Sequence, residues 1–248
     1  MMETVIDYSF MLKQKRRKMF FTYLVFAAVV LSVLIIIHNF LLFPVGIDSE
    51  SMQPTLAKGD IVFVTPLAKP LTAGIEKESF VEKILHCVNI NRGDLVLIRT
   101  GKETELHKFK AGVNSLVRFF TFQRLSLFPD SSENYSIRRV LALPGDTVFM
   151  KDFVVYIKPA GETHFLTEYE LSALHYDVQT AKLPEIWDED VGFSGNMEQV
   201  VLCENQYMFF SDDRYHSSDS RIWGSIDGGK IIGKLVLRYW PVQSILLL

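Results

Sequence analysis

From Met19 to Phe43 the chain carries no Asp, Glu, Lys or Arg over 25 residues. About 20 such residues suffice for a helix to cross the hydrocarbon core of a bilayer. A cleavable signal peptide is the competing reading, but its apolar region is shorter and a small-residue cleavage site follows it. Here the run ends in Leu41-Leu42-Phe43-Pro44-Val45-Gly46, with no Ala-x-Ala pattern. The expectation is an uncleaved transmembrane anchor over residues 19–43, ended by Pro44 and Gly46. The basic cluster Lys13, Lys15, Arg16, Arg17 and Lys18 lies just before it. The positive-inside rule assigns residues 1–18 to the cytoplasm and residues 44–248 to the outer face. His38 falls near the outer end, where a neutral imidazole reaches the interface.

The chain after the anchor is long enough for one large domain, or a core plus a subdomain. Net charge is +3 on residues 1–18 and −6 on the remainder, a balance that excludes a nucleic-acid binder. No Cys/His cluster has metal-ligand spacing, so neither a metal nor a cofactor is expected. Cys87 and Cys203 both sit among apolar residues and read as buried thiols; a disulfide between them stays open.

Short β-branched and aromatic runs dominate the rest. They are Ile61–Val64, Leu95–Ile98, Thr147–Met150, Phe153–Ile157 and Lys234–Trp240. Gly59-Asp60, Gly93-Asp94, Gly145-Asp146 and Gly233-Lys234 read as turns feeding strands. The fold class expected is mainly β and antiparallel, with one N-terminal helix. Residues from about 153 to 205 are more polar and read as an inserted subdomain. Ile75–Cys87 reads as a short amphipathic stretch. Val113–Phe128, with four Phe and two Arg, reads either as core or as a membrane-surface segment. The tail from Ser244 to Leu248 reads as the completion of a strand or a surface contact.

Four segments carry chemistry. Ser49-Glu50-Ser51-Met52-Gln53-Pro54-Thr55-Leu56 begins about six residues beyond the apolar run. Peptide hydrolysis by a serine needs an activated hydroxyl, a proton acceptor and donors for the developing oxyanion. The second is the pair of strand-entry turns Gly59-Asp60 and Arg92-Gly93-Asp94, whose part is scaffolding, and the third is Ile137-Arg138-Arg139-Val140-Leu141-Ala142-Leu143-Pro144-Gly145-Asp146. The fourth is Ser211-Asp212-Asp213-Arg214, continuing through Ser217, Asp219 and Arg221 to Trp223-Gly224.

In this order the segments resemble those of type I signal peptidases, membrane-anchored serine proteases that remove signal peptides. The resemblance runs from Lys13 to Trp240. It implies Ser51 as nucleophile, with the Ser49 side chain and the Ser51 backbone N–H as oxyanion donors. It implies that Ser217 orients the general base, and that Asp219 and Arg221 form an ion pair bracing the site. Arg139 and Asp212 are implied as structural support. Ile47, Leu56 and Ile137 are implied as walls of shallow pockets that select small residues before the cut. An extended substrate is expected to add to a strand edge. The implied partners are preproteins with signal peptides, membrane lipid and the secretion machinery.

One position departs from the pattern. The family's general base is a lysine five places before Leu-Pro-Gly-Asp, and here that place is Arg138. A desolvated lysine loses its proton readily enough to act as base. Arginine holds its proton far more tightly. Three readings stay open. The chain is a catalytically impaired homologue that binds exported chains or assists an active partner. Alternatively, another group such as Lys108, Lys110 or a histidine like His216 serves as base. Or the match is slipped along the strand.

Overall fold

The computed structural model describes residues 2–68, 89–101, 117, 135–172, 175–180, 195–215 and 218–248, with side chains in the first helix described for 14–33. Helix α1 covers Met2–Phe40. Among the described residues no helix is long and apolar enough to cross a membrane. The described side chains of α1 end at Val33, inside the uncharged run. The chain divides into two compact units, Met1–Leu41 and Leu42–Leu248.

The second unit holds two antiparallel sheets. The larger has the order β1-β2-β11-β3-β4-β9-β10. Its strands are β1 (Phe43–Gly46), β2 (Ile61–Thr65), β3 (Leu95–Arg99), β4 (Tyr135–Ala142), β9 (Gln206–Phe210), β10 (Ile226–Asp227) and β11 (Ile231–Trp240). The tail strand β12 (Leu246–Leu247) pairs with β11. The smaller sheet has the order β7-β6-β5-β8. It is built from β5 (Thr147–Lys151), β6 (Val154–Lys158), β7 (Leu166–Thr167) and β8 (Met197–Val201). This sheet begins at Thr147, ahead of the polar stretch that starts near residue 153. Phe153 lies in the β5–β6 turn with φ 65°. Two helical turns follow the strands they serve, α2 (Glu168–Leu171) and α3 (Ser220–Trp223).

Three Gly-Asp pairs form one repeated device. Gly59, Gly93 and Gly145 all have φ between 85° and 94°, a region that favours glycine. In each turn the following Asp takes a backbone N–H three residues back onto its carboxylate: Ala57 at 2.9 Å, Asn91 at 2.7 Å and Leu143 at 2.8 Å. A cation then meets each carboxylate, Arg238 on Asp60, Lys234 on Asp94 and Arg92 on Asp146. The turns therefore start β2, β3 and β5 and tie them to other strands. Gly233-Lys234 is different: it lies inside β11, not in a turn. A Cβ at Gly233 would stand 2.3 Å from the Thr65 carbonyl oxygen, so close strand approach is what demands glycine there.

Strand β3 explains how one sheet serves two cores. Leu95 and Leu97 enter a cluster with Ile47, Met52, Leu56, Val62, Val64 and Leu235. Val96 and Ile98, pointing the other way, join Val140, Phe209 and Ile231. Burying one such side chain contributes about 1.5–3 kcal/mol. A third cluster joins the sheets, with Leu141, Met208 and Phe210 against Val148, Val155 and Ile157. The first of these cores is the floor under residues 47–60.

Candidate active site

Between β1 and β2 the chain folds into consecutive turns. The Gln53 N–H donates to the Glu50 carbonyl at 3.0 Å, and the Leu56 N–H to the Met52 carbonyl at 2.8 Å. Met52 and Leu56 are buried beneath, which fixes Ser51 over the core. From the other side, the Asp213 N–H donates to the Ser51 carbonyl at 3.1 Å. The nucleophile candidate is thus clamped by its backbone between a packed turn and the segment after β9.

Strand β4 brings Arg138 to it. Pairing with β3 sets Ile137 opposite Leu97 and Arg138 opposite Val96. The Arg138 Nη1 donates to Ser51 Oγ at 2.8 Å and to the Ile137 carbonyl at 2.6 Å. Its Nε and Nη2 both reach the Ser218 carbonyl, at 3.2 and 2.9 Å. The Trp223 ring covers the guanidinium at 5.3 Å. Ser51 is 9% exposed and Arg138 7%. Burial pulls the Arg138 pKa down to about 10, against the opposing field of Asp219. As a cation Arg138 donates to Ser51; it accepts the serine proton only when neutral.

The oxyanion donors expected from the sequence touch one another. The Ser51 N–H donates to Ser49 Oγ at 3.2 Å. The Ser49 hydroxyl keeps its own proton to donate.

Arg139, the next residue of β4, points to the opposite face and forms a two-pronged pair with Asp212 through Nε at 2.8 Å and through Nη2. Thr55 Oγ1 donates to the same Asp212 carboxylate. Asp219 accepts from Arg221 Nε at 2.8 Å and caps α3 through the Arg221 N–H. Of the implied pocket residues, Leu56 is 0% exposed and Ile47 4%, so both lie in the core. Ile137 is half-buried and packs at the edge of that core.

Ser217, His216, Lys108, Lys110, Cys87 and, apart from Val117, the stretch Val113–Phe128 lie outside the described residues. Cys203 is exposed with a free thiol, contrary to the buried reading. It opens the tight turn into β9, where the Gln206 N–H donates to its carbonyl at 3.2 Å and Asn205 has φ 61°.

A second buried network has no signature in the sequence. Glu168 and Arg214 have side chains with no solvent exposure and pair at 2.6 Å. Tyr176 donates to Glu168 Oε2 at 2.6 Å, and Arg139 stacks over the Tyr176 ring at 3.9 Å. Burial first, and then the Glu168 carboxylate, push the Tyr176 pKa upward, keeping the phenol protonated as a donor. For Arg214, burial works to lower the pKa, but the Glu168 charge and hydrogen bond hold it raised. This chain of contacts runs from the smaller sheet, through Arg139 and Asp212, to the segment that holds Ser51.

Comparison with known proteins decides the family. The family model described as "Signal peptidase, peptidase S26" matches residues 18–240. The chain belongs to this signal peptidase family. It is 25% identical over 228 residues to signal peptidase IB of Staphylococcus aureus, covering 92% of this chain and 93% of that one. It is 26% identical over 231 residues to signal peptidase I of Buchnera aphidicola, covering 84% and 72%. A crystal structure of a signal peptidase I from Enterococcus faecalis V583 is 18% identical, covers 66% of this chain and all of that one, and has a TM-score of 0.29. Membership of the family indicates a serine-peptidase fold type that acts on preproteins carrying signal peptides.

Proposed function

We propose that this chain is a membrane-anchored serine endopeptidase that removes N-terminal signal peptides from exported preproteins after small residues. Ser51 is the nucleophile. The observation that carries the reading is the 2.8 Å contact between Arg138 Nη1 and Ser51 Oγ, in a nearly dry site at the place of the family's general base. The neutral fraction of Arg138 accepts the Oγ proton as Oγ attacks the scissile carbonyl carbon. The resulting guanidinium then protonates the leaving amine, and water releases the acyl group. Ser49 Oγ–H and the Ser51 N–H receive the oxyanion once the Ser49 side chain rotates off the Ser51 N–H. Ser217 orients Arg138. Ile137 forms the side of the small-residue pocket, with Ile47 and Leu56 as its floor. Arg139, Asp212, Asp219 and Arg221 hold the frame.

The uncharged run 19–43 and the preceding basic cluster support a single-pass anchor with the N-terminus inside and the catalytic unit on the outer face. A second reading, an impaired homologue that binds exported chains, is favoured by the Arg138 pKa of about 10, which leaves the cationic donor dominant at neutral pH. Cleavage of a preprotein bearing an Ala-x-Ala site, read by mass spectrometry, separates the two. A cut after Ala supports the peptidase; bound but intact substrate at every pH supports the second reading.

A further inference from the structure

After β9 the backbone runs between two neighbours. The Asp212 carbonyl accepts from the Gln179 N–H at 2.8 Å, and the Arg214 N–H donates to the Gln179 carbonyl at 2.9 Å. Between them the Asp213 N–H points the other way, as alternate residues of an extended strand do, and donates to the Ser51 carbonyl at 3.1 Å. Whatever fixes the segment from Ser211 to Arg214 therefore also holds Ser51 from that side.

Arg214 fixes it. Its Nε donates to the Ser211 carbonyl at 2.7 Å, and its Nη1 to the Phe153 carbonyl at 3.0 Å and to Glu168 Oε1 at 3.2 Å. Its Nη2 donates to Glu168 Oε2 at 2.6 Å. Glu168 is tied in turn by the Val155 N–H at 3.0 Å and by the Tyr176 hydroxyl at 2.6 Å. The pair thus joins the segment to β6 and to the β5–β6 turn. Stability alone does not account for it. Two charges without solvent exposure carry a desolvation cost that their attraction scarcely offsets, and apolar residues of similar volume often serve stability as well. A satisfied buried network adds something else, one fixed arrangement. Here that arrangement includes the reacting groups. Ser51 Oγ stands 2.8 Å from Arg138 Nη1, and Arg138 comes from β4, a separate element. A misplacement of about 1 Å between reacting groups costs about a hundredfold in rate.

We infer that Glu168 and Arg214 are positioning residues for the nucleophile: together they hold the segment from Ser211 to Arg214, and through the Asp213 N–H they set Ser51 against Arg138. With no exposed surface, neither side chain reaches substrate. The inference goes beyond the peptidase reading and takes from it only that Ser51 is the group that reacts.

The test uses the full chain in detergent micelles and a preprotein carrying an Ala-x-Ala site. Glu168→Asp keeps the charge but is one methylene short of Arg214. Its kcat is expected to fall about ten- to a hundredfold with KM within about twofold, the split of a change felt in the transition state. Amide exchange at pH 7 is expected to show the Asp213 N–H losing protection while the N–H groups paired between β2 and β11 keep theirs. The double variant Glu168→Gln/Arg214→Met leaves no buried charge unpaired. It is expected to regain most of the melting temperature lost in Glu168→Gln, yet to keep a low kcat, whereas a merely structural pair would recover both. Should Glu168→Asp fail to fold, Tyr176→Phe, which deletes one donor to the same carboxylate, is read in its place, with smaller effects of the same sign expected. Where the unmutated chain cuts, an unchanged kcat or an unchanged Asp213 protection in the folded variant overturns the inference, as does a double variant whose kcat returns with its melt. If even the unmutated chain cuts nothing, loss of Asp213 protection would sink the peptidase reading alone, and protection unchanged in the variant would sink this inference as well.

Discussion

Raising the pH from 7 to 10 tests the role of Arg138 without any substitution in the chain. Burial lowers the Arg138 pKa to about 10, and Asp219 opposes the shift only in part. Since the shift is downward, the base form accumulates as pH rises toward 10. At pH 7 about one molecule in a thousand carries neutral Arg138, a cost of about 4 kcal/mol on the barrier. Each pH unit relieves about 1.4 kcal/mol, so kcat is expected to climb about tenfold per unit and level off near pH 10. The assay follows cleavage of a preprotein by the reconstituted chain, with Ser51→Ala subtracted at each pH to remove hydroxide-driven hydrolysis. A flat profile between pH 7 and 10, with Ser51-dependent cleavage, would refute Arg138 as the base and direct attention to another group.

Three further outcomes follow from the packing. Arg138→Lys is expected to raise turnover at pH 7 by up to about a hundredfold, because a desolvated lysine is neutral far more often; no gain in a folded variant would point to a different base. Glu168→Gln strips the charge from a fully buried pair with Arg214 and is expected to cost about 3–5 kcal/mol, lowering Tm by roughly 10 °C in a thermal melt. An unchanged melt would contradict that account of the network. Gly233→Ala drives a methyl group against the Thr65 carbonyl across β2 and β11, for an expected loss of about 1–3 kcal/mol in urea denaturation.

Three strand starts were legible because they share one chemical device. A glycine with positive φ and an aspartate that caps its own turn are local, so Gly59-Asp60, Gly93-Asp94 and Gly145-Asp146 announced β2, β3 and β5. Gly233-Lys234 has a similar look, yet its glycine answers to the Thr65 backbone from another strand, which no local pattern reports. The same limit applies to β5. Its turn matches the others, but pairing with β6 and β8 places it in the smaller sheet. At the site, Ser51 and Arg138 stand 87 positions apart, and only the resemblance of their segments linked them. Glu168 gave no signal, because a glutamate in a polar stretch ordinarily faces water. Its burial depends on Arg214, 46 positions away. Cys203 misled for the opposite reason: apolar neighbours suggest burial, but the turn into β9 faces solvent.

The most direct measurement compares the full chain with Ser51→Ala on a preprotein carrying an Ala-x-Ala site, at pH 9, where about one Arg138 in ten is neutral. Mass spectrometry reads the products. The account predicts a single cut after the second Ala by the unmutated chain and none by the variant. The same cut made by Ser51→Ala, or no cut by either, would contradict it.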